Sequence, residues 1–177
     1  MSTRATLDSL WDFSLALYAQ PGVADACLRL QDEHGLNVNL LLWCVWLECK
    51  GLFPDQAQLE QAQRQTHGWD QNYVGPLRQL RQRMKAEFGT RDLAIEQVRQ
   101  QIKEAELAAE RQLQMQLQSL SCGWWPIAEG LSAGRWKNGS FESENLRRYL
   151  ATAGVDCSAV KPLAQCVTGA LRSILSN

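Results

Sequence analysis

The segment NVNLLLWCVWLECKG, residues 37 to 51, decides the fold class of this chain. Apolar side chains from Leu40 to Leu47 cover every face of a helix, which indicates a helix surrounded by other helices. Asn37 is a good N-cap, because its side-chain oxygen can accept a hydrogen bond from a first-turn amide, and Gly51 closes the segment. We therefore predict a central helix over residues 38–50.

Helix start and stop residues recur on both sides of this segment, whereas Val/Ile/Thr-rich alternation typical of strands is missing before residue 138. Asp55 with Gln58 forms a capping box, and apolar residues repeat at helical spacing over 92–120. Further helices are predicted at 7–19, 23–34, 69–88, 92–120, 140–153 and at the C-terminal end, and one more begins at Asp55. Gly68 is expected to interrupt the helix that begins at Asp55, and Pro76 is expected to kink or restart the helix at 69–88. The predicted fold is an all-α helical bundle of about six to eight helices, with 38–50 central and 92–120 as a long flank.

The pattern predicts a boundary near residue 121. Residues 1–120 form the expected bundle core, and residues 121–177 form a Trp- and Gly-containing tail. Ser140 is expected to cap the first of two tail helices, and both helices are expected to pack on the core.

In the first helix of the chain, the stripe expected to face inward consists of Leu7, Leu10, Trp11, Ser14, Leu15 and Tyr18.

Charge and cysteine usage restrict the classes of partner and the compartment. The 177 residues carry 18 Lys+Arg and 19 Asp+Glu, so a formal net charge of -1 gives little long-range attraction for a nucleic acid or a charged membrane. Six cysteines occur without signs of secretion, which favours reduced thiols and a cytoplasmic location. The most apolar run, from Leu36 to Leu47, is shorter than the roughly 20 residues that span a bilayer.

Motifs of familiar enzymes and metal sites do not occur in the sequence. His34 and His67 are the only histidines, and neither has a second ligand at metal-binding spacing. The sequence also lacks a Gly-x-Ser-x-Gly elbow, a phosphate loop, a dinucleotide fingerprint and an Asp-x-x-Asp pair. We expect no metal and no cofactor, and we assign no catalytic residue.

A pocket walled by tryptophans is one possibility for ligand binding. Indoles supply large apolar surfaces and one donor each, and a carboxyl or imidazole beside them would give polarity. The candidate pocket residues are Trp11, Trp43, Trp46, Glu48, His67 and Trp69. Core packing of the tryptophans is the alternative, and for Glu48 the alternative is a solvated position at the mouth of an ending helix.

Basic residues and tail tryptophans are the candidates for binding a protein partner. Arg78, Arg81 and Lys85 share one helix face, with Arg83 nearby. The alternative is a set of ion pairs with Glu104, Glu106 and Glu110 of the long helix. Trp124 and Trp125, and Trp136 further on, lie in a Gly-rich stretch that is hard to bury, which is typical of a contact with another chain.

Three segments resemble a known protein family. They are LWDFSLALYAQPGVADACLRLQDEHGLNVNLLLWCVWL at 10–47, WDQNYVGPLRQLRQRMK at 69–85 and KEAELAAERQLQ at 103–114. Together they resemble a proteobacterial family of small helical proteins of unknown function, over roughly residues 7 to 120. The resemblance implies an all-helical cytoplasmic bacterial protein and supplies no activity or site residue.

Two functional hypotheses follow. The first is a non-enzymatic interaction or regulatory protein that holds a protein partner, with a second copy of itself as one option. The second is a small-molecule or lipid-binding helical protein, with catalysis left open, whose pocket is Trp-lined. A cavity of ~300 Å³ or more with converging polar groups would favour the second, and a closed tryptophan core the first.

Overall fold

The computed structural model describes residues 8–124, 136–137, 140–141 and 143–175. These ranges contain eight α-helices: α1 (Leu10–Tyr18), α2 (Val23–His34), α3 (Val38–Cys49), α4 (Gln56–Trp69), α5 (Gly75–Phe88), α6 (Leu93–Ser121), α7 (Glu144–Thr152) and α8 (Lys161–Leu175). One antiparallel pair of two-residue strands, β1 (Trp136–Lys137) and β2 (Ser140–Phe141), joins Trp136 to Phe141 and Lys137 to Ser140. The predicted all-α class is confirmed.

Helix α3 is the centre of the bundle. The Asn37 side chain accepts a hydrogen bond from the Asn39 amide at 2.9 Å and so caps the helix. Every residue from Asn39 to Cys49 is buried, and α3 packs against α1, α2, α4, α6 and α7. A helix without a polar face is therefore enclosed on all sides, as its sequence predicts.

Helix α1 presents a different face to the core from the predicted one. It begins at Leu10 after the N-cap Ser9, and its buried residues are Leu10, Phe13, Ser14 and Leu17. These residues follow the three- and four-residue spacing of one helix face, and Phe13 supplies the large side chain of that face. Leu15 is exposed, so its predicted inward position is wrong, and Leu7 lies outside the described residues.

Residues 56–88 form one continuous helical stretch, so the predicted interruption at Gly68 is wrong. Helix α4 passes through Gly68, and a π-helical turn, Asp70–Val74, connects it to α5. The Gly75 amide donates to the Asp70 carbonyl in this wider turn. A Cβ at Gly75 would lie 3.0 Å from the Asp70 carbonyl oxygen, so glycine allows the close approach. The turn brings Pro76 into the first turn of α5, where a missing amide proton is tolerated.

Helices α5 and α6 pack side by side and are joined by a short connection, which makes them an antiparallel pair. Asp92 caps α6 by accepting from the amides of Ala94 and Ile95. None of the residues 75–105 is buried, whereas α6 is buried at several positions from Glu106 to Ser121. We call residues 75–110 the helical hairpin: its base joins the bundle, and most of its length lies outside the hydrophobic core.

Helices α7 and α8 contribute to the same hydrophobic core as α1 to α4. Leu146 and Leu150 of α7 and Leu163 and Val167 of α8 are fully buried in it. Helix α7 begins after Ser143, whose hydroxyl accepts from the Leu146 amide at 3.1 Å. The predicted N-cap Ser140 is wrong, because Ser140 lies in β2.

Candidate functional site

A cluster of five charged side chains fixes the base of the helical hairpin. Arg78 Nε lies 3.1 Å from Glu106 Oε1, and Arg78 Nη2 lies 2.8 Å from Glu110 Oε1. Arg81 Nε lies 2.5 Å from Glu106 Oε2, and Arg78 Nη1 lies 4.0 Å from Asp70 Oδ1. The Glu106 side chain is 8% exposed, so these contacts are shielded from solvent more than ordinary surface ion pairs.

The electrostatics of this cluster follow from its partial burial. The hydrogen bonds that Arg81 donates to the Glu106 carboxylate raise the pKa of Arg81. Burial raises the pKa of Glu110, and the Arg78 guanidinium partly offsets that rise. Three carboxylates, including Asp70, share two guanidinium groups, so the cluster has one acid more than it has bases.

The predicted basic stripe therefore divides into two pairs of residues. Arg78 and Arg81 are used inside the molecule, in the ion pairs with the long helix that the sequence left as the alternative. Arg83 and Lys85 are exposed, as is Glu104 on α6. Of these four residues, Arg83 and Lys85 are therefore the exposed ones.

Large apolar side chains are exposed along the helical hairpin. These are Leu80, Phe88, Leu93, Val98 and Leu107. Leu93, at the far end, is 78% exposed. Single exposed apolar residues are common on protein surfaces, but several on one projecting element are typical of an interaction surface.

Three of the four tryptophans proposed as pocket walls pack in or against the hydrophobic core instead. Trp43 and Trp46 are fully buried in the core around α3. Trp69 is half-buried, and its Nε1 donates to the Ala109 carbonyl at 2.9 Å. Indoles in these positions supply packing area, and none of the three lines either groove described below.

Trp11 is the tryptophan that lines a groove. It is half-buried, and the Arg111 guanidinium lies over its ring, 6.0 Å from the centroid. Both residues line a groove of about 360 Å³ beside Met115 and Cys122. The four tryptophans therefore do not line one common pocket, and Trp43 and Trp46 take the core positions that the sequence left as the alternative.

Trp124 packs on the core rather than pointing outward. Its ring centroid lies 5.8 Å from that of Trp43, with the planes inclined at 63°, an edge-to-face contact. Within the single chain, this contact covers part of the apolar surface of Trp124. Trp125 lies outside the described residues, and the side chain of Trp136 is not among those described.

Glu48 is fully buried, which contradicts the solvated position considered from the sequence. Its Oε2 accepts from the Asn145 amide at 3.0 Å and from the Ser143 hydroxyl at 3.2 Å. Burial raises its pKa, and the two hydrogen bonds oppose the rise. Helix α7 covers the end of α3, so Glu48 serves as a contact between helices and lines neither groove.

A polar groove of about 420 Å³ lies where α2, α4 and α7 meet. Both histidines of the chain line it, His34 at the end of α2 and His67 in α4. Thr66 lines it as well, although this residue is 1% exposed, and its Oγ1 has no hydrogen-bond partner in the protein. The volume of the polar groove exceeds the ~300 Å³ expected of a ligand pocket. Among the residues proposed from the sequence for that pocket, His67 alone lines the polar groove.

Sequence reasoning missed the polar groove, although one pattern indicates it. Gln63, Thr66, His67 and Asp70 are spaced at i, i+3, i+4 and i+7, so four polar residues share one face of a helix inside a bundle. The structure places all four on the groove wall. A polar stripe directed at other helices is unusual, because buried polar groups need partners.

The described residues were also expected to hold no metal site and no membrane-spanning helix. Across the described ranges, no group of three or more His, Cys, Asp or Glu side chains is arranged to hold a metal ion. No helix in the described ranges is both long enough and apolar enough to cross a membrane.

Comparison with known protein families gives a match over more than half of the chain. The model of the protein family of unknown function DUF2390 matches residues 9–117. The chain belongs to the DUF2390 family. The match covers α1 to α5 and most of α6, which agrees with the helical family of unknown function expected over residues 7–120. No curated protein and no solved structure gives a significant match.

Some residues of the candidate sites lie inside the region that matches DUF2390, and others lie outside it. His34, Thr66, His67 and Asp70 of the polar groove lie inside the matched region, and so does the helical hairpin. Asn145, which binds Glu48, and Tyr149, which completes the groove wall, lie outside it in α7. Residues beyond the DUF2390 region therefore hold the buried end of α3 and close one side of the groove.

Proposed function

We propose that this DUF2390 protein is an interaction factor that works as a dimer, with the helical hairpin of each copy forming the contact. The observation that carries the proposal is that none of the 14 residues of α5 is buried, although α5 contains Leu77, Leu80, Met84 and Phe88. A pair of helices of this length is marginal in isolation and gains stability when its apolar surface is covered.

The apolar residues give the driving force for this contact. Leu80 and Phe88 on α5 and Val98 and Leu107 on α6 remain exposed in the single chain. Burial of apolar surface contributes roughly 25 cal/mol per Å², so covering several such side chains gives a favourable contact. Two hairpins packed together would form a four-helix arrangement, in which each hairpin covers the other.

Charge complementarity supports a second copy as the partner. Helix α5 has four basic residues and one acidic residue, and residues 92–110 have five acidic and two basic residues. Arg78 and Arg81 are already engaged by Glu106 and Glu110 within the chain, so the other charges are the ones left for a contact. In a two-fold symmetric contact, the α5 of one copy lies along the α6 of the other, so opposite charges meet twice. Arg83 and Lys85 are exposed on α5, and Glu104 is exposed on α6.

The test is the mass of the full chain in solution, measured by sedimentation velocity across a range of concentrations. We expect a dimer that dissociates on dilution. The double variant Leu80→Glu/Val98→Glu should be monomeric, because buried carboxylates would lack partners in the contact. Leu28→Glu is the matched control, since Leu28 is exposed on α2 outside the hairpin, and it should remain dimeric.

Two results would overturn the proposal. One is a monomer at every concentration of the unmodified chain. The other is a dimer that the control disrupts and the hairpin variant does not. Charge reversal by Arg83→Glu/Lys85→Glu tests the electrostatic part separately: we expect a weaker dimer, and an unchanged dissociation constant would contradict the role of these two residues.

A further inference from the structure

We propose that the polar groove between α2, α4 and α7 binds a small molecule that has a primary amine on a short apolar body. This inference is independent of the proposed dimer, because it rests on a different surface. The groove is lined both by buried polar atoms and by apolar side chains, a combination suited to a ligand that has a polar group and an apolar body.

Thr66 provides the first evidence. A buried hydroxyl normally has a hydrogen-bond partner, and Thr and Ser in helices usually donate to a carbonyl one turn earlier. The Thr66 Oγ1 has none in the protein, although Thr168 in α8 donates to the Ala164 carbonyl at 2.7 Å. A hydroxyl left without a partner on the wall of a groove is placed to bind a polar group of a ligand.

Asp70 decides the charge of that polar group. It lines the groove one helical turn after Thr66, and its Oδ1 is buried without a hydrogen bond. The nearest cation, Arg78, lies 4.0 Å away and is hydrogen-bonded to Glu106 and Glu110. Since three carboxylates share two guanidinium groups, an ammonium group would add the missing positive charge at Asp70, and an anion would be repelled.

The π-helical turn begins at Asp70, and such turns occur frequently at functional sites. The Asp70 carbonyl is bound by the Gly75 amide, so the backbone at this position is satisfied. The side chain alone remains with an open acceptor.

The rest of the groove suits a short apolar body. Leu36 and Leu40 line it and are buried, and the Tyr149 side chain contributes a further wall. The Tyr149 hydroxyl accepts from the Asn37 amide at 3.0 Å, so the position of its ring is fixed. A volume of about 420 Å³ lies within the range of small-molecule sites, roughly 300–1,000 Å³.

The test uses three probes of equal length: hexylamine, hexan-1-ol and hexanoate. Each is titrated into the full chain while amide resonances are followed by NMR. We expect saturable shifts with hexylamine at residues of the groove, and much weaker responses to the neutral and anionic probes. Equal responses to all three probes, or no saturation with hexylamine, would overturn the proposal.

Two variants locate the binding groups. Asp70→Asn keeps the size of the side chain and removes its charge, and we expect at least a tenfold loss of hexylamine affinity. Thr66→Val replaces an unpartnered hydroxyl with a methyl group, so affinity should fall several-fold while the melting temperature stays equal or rises. The matched control is Asp32→Asn, an exposed acid on α2 that does not line the groove.

The two variants also guard against a purely structural explanation. A residue that only supports the fold would lower the melting temperature and the affinity together. If Asp70→Asn fails to fold, Thr66→Val still decides the question, because it removes a group that makes no hydrogen bond within the protein. Unchanged hexylamine affinity in a folded Thr66→Val variant would contradict the assignment.

Discussion

The carboxylate of Glu48 accepts a hydrogen bond from the backbone amide of Asn145, 3.0 Å away, and so joins the end of α3 to the first turn of α7. Asn145 is itself fully buried, and its side-chain amide donates to the carbonyls of Cys44 and Leu52. The first-turn amides of a helix lack partners within it and favour a negative charge. The Glu48 carboxyl supplies an acceptor at this helix start, and its burial opposes the charged form.

Glu48 should make the stability of the protein depend on pH. Its pKa is raised above the usual 4.5 in the folded state, so the folded chain holds this proton more tightly than the unfolded chain. The free energy of unfolding should therefore fall as the pH rises from about 4.5, by at most ~1.4 kcal/mol per pH unit, and level off above the folded-state pKa.

Urea denaturation of the native chain and of Glu48→Gln across this pH range gives the measurement. The difference in unfolding free energy, native minus variant, should decrease with rising pH. Glu33→Gln is the control, because Glu33 is exposed on α2 and should leave the pH profile unchanged. A difference that is independent of pH would show that Glu48 has the same pKa in both states.

Glu106 should contribute more to stability than its neighbour Glu104. Glu106 is bound by Arg78 and Arg81 and is nearly buried, so Glu106→Ala leaves two partly buried guanidinium groups with a missing acceptor. We expect a loss of about 1–2 kcal/mol, less than for a fully buried pair because both arginines reach solvent. Glu104→Ala, on the same helix but exposed, should change stability by less than about 0.5 kcal/mol.

Chemical denaturation of both variants measures this difference directly. Equal losses for the two substitutions would mean that the ion pairs of the hairpin base contribute nothing beyond helix propensity. A large loss for Glu104→Ala alone would assign the important charge to the exposed surface. Either result would contradict the larger contribution to stability that we expect from Glu106 because of its burial and its contacts.

Local features of the fold could be predicted because the responsible residues are close in sequence. The Asn37 cap, the Asp55–Gln58 capping box and the Asp92 cap each depend on atoms two or three residues apart. The apolar run of α3 identified the central helix for the same reason, since enclosure on all faces is encoded in one segment.

Features made by distant residues could not be predicted in the same way. The Glu48–Asn145 contact joins positions 97 residues apart, and no local pattern shows that α7 covers the end of α3. The polar groove combines α2, α4 and α7, so its wall exists only after folding. The π-helical turn depends on an amide reaching one residue further back than in an α-helix, which spacing rules do not represent.

Cysteine reactivity should divide into two classes. Burial raises the pKa of Cys27 and of Cys49 to about 12, and Cys44 is also buried. Cys122 and Cys157 are exposed. Because the thiolate is the reactive form, a disulfide reagent at neutral pH should modify the two exposed thiols first and the three buried ones only after unfolding.

Mass spectrometry of the modified chain identifies the labelled positions with time. Rapid labelling of Cys27, Cys44 or Cys49 in the folded protein would contradict the enclosed core around α3. Labelling in urea provides the control, since all accessible thiols should then react at similar rates.

Gly22 and Gly35 should respond differently to the same substitution. Both have a left-handed backbone, with φ of 79° and 65°, so alanine costs roughly 1–2 kcal/mol of strain at either position. A Cβ at Gly22 would lie 2.9 Å from the Cys166 Sγ, whereas a Cβ at Gly35 meets nothing within 4 Å. Gly22→Ala should therefore destabilise the chain more than Gly35→Ala, as measured by thermal unfolding.

A third variant separates the contact from the backbone strain. In Gly22→Ala/Cys166→Ala the crowding atom is gone, so the loss caused by the Gly22 substitution should fall to that of Gly35→Ala, once each is compared with its own parent. An undiminished loss in the Cys166→Ala background would show that the cost at Gly22 arises from the backbone alone. The comparison thus tests whether α8, which carries Cys166, packs directly against the turn that starts α2.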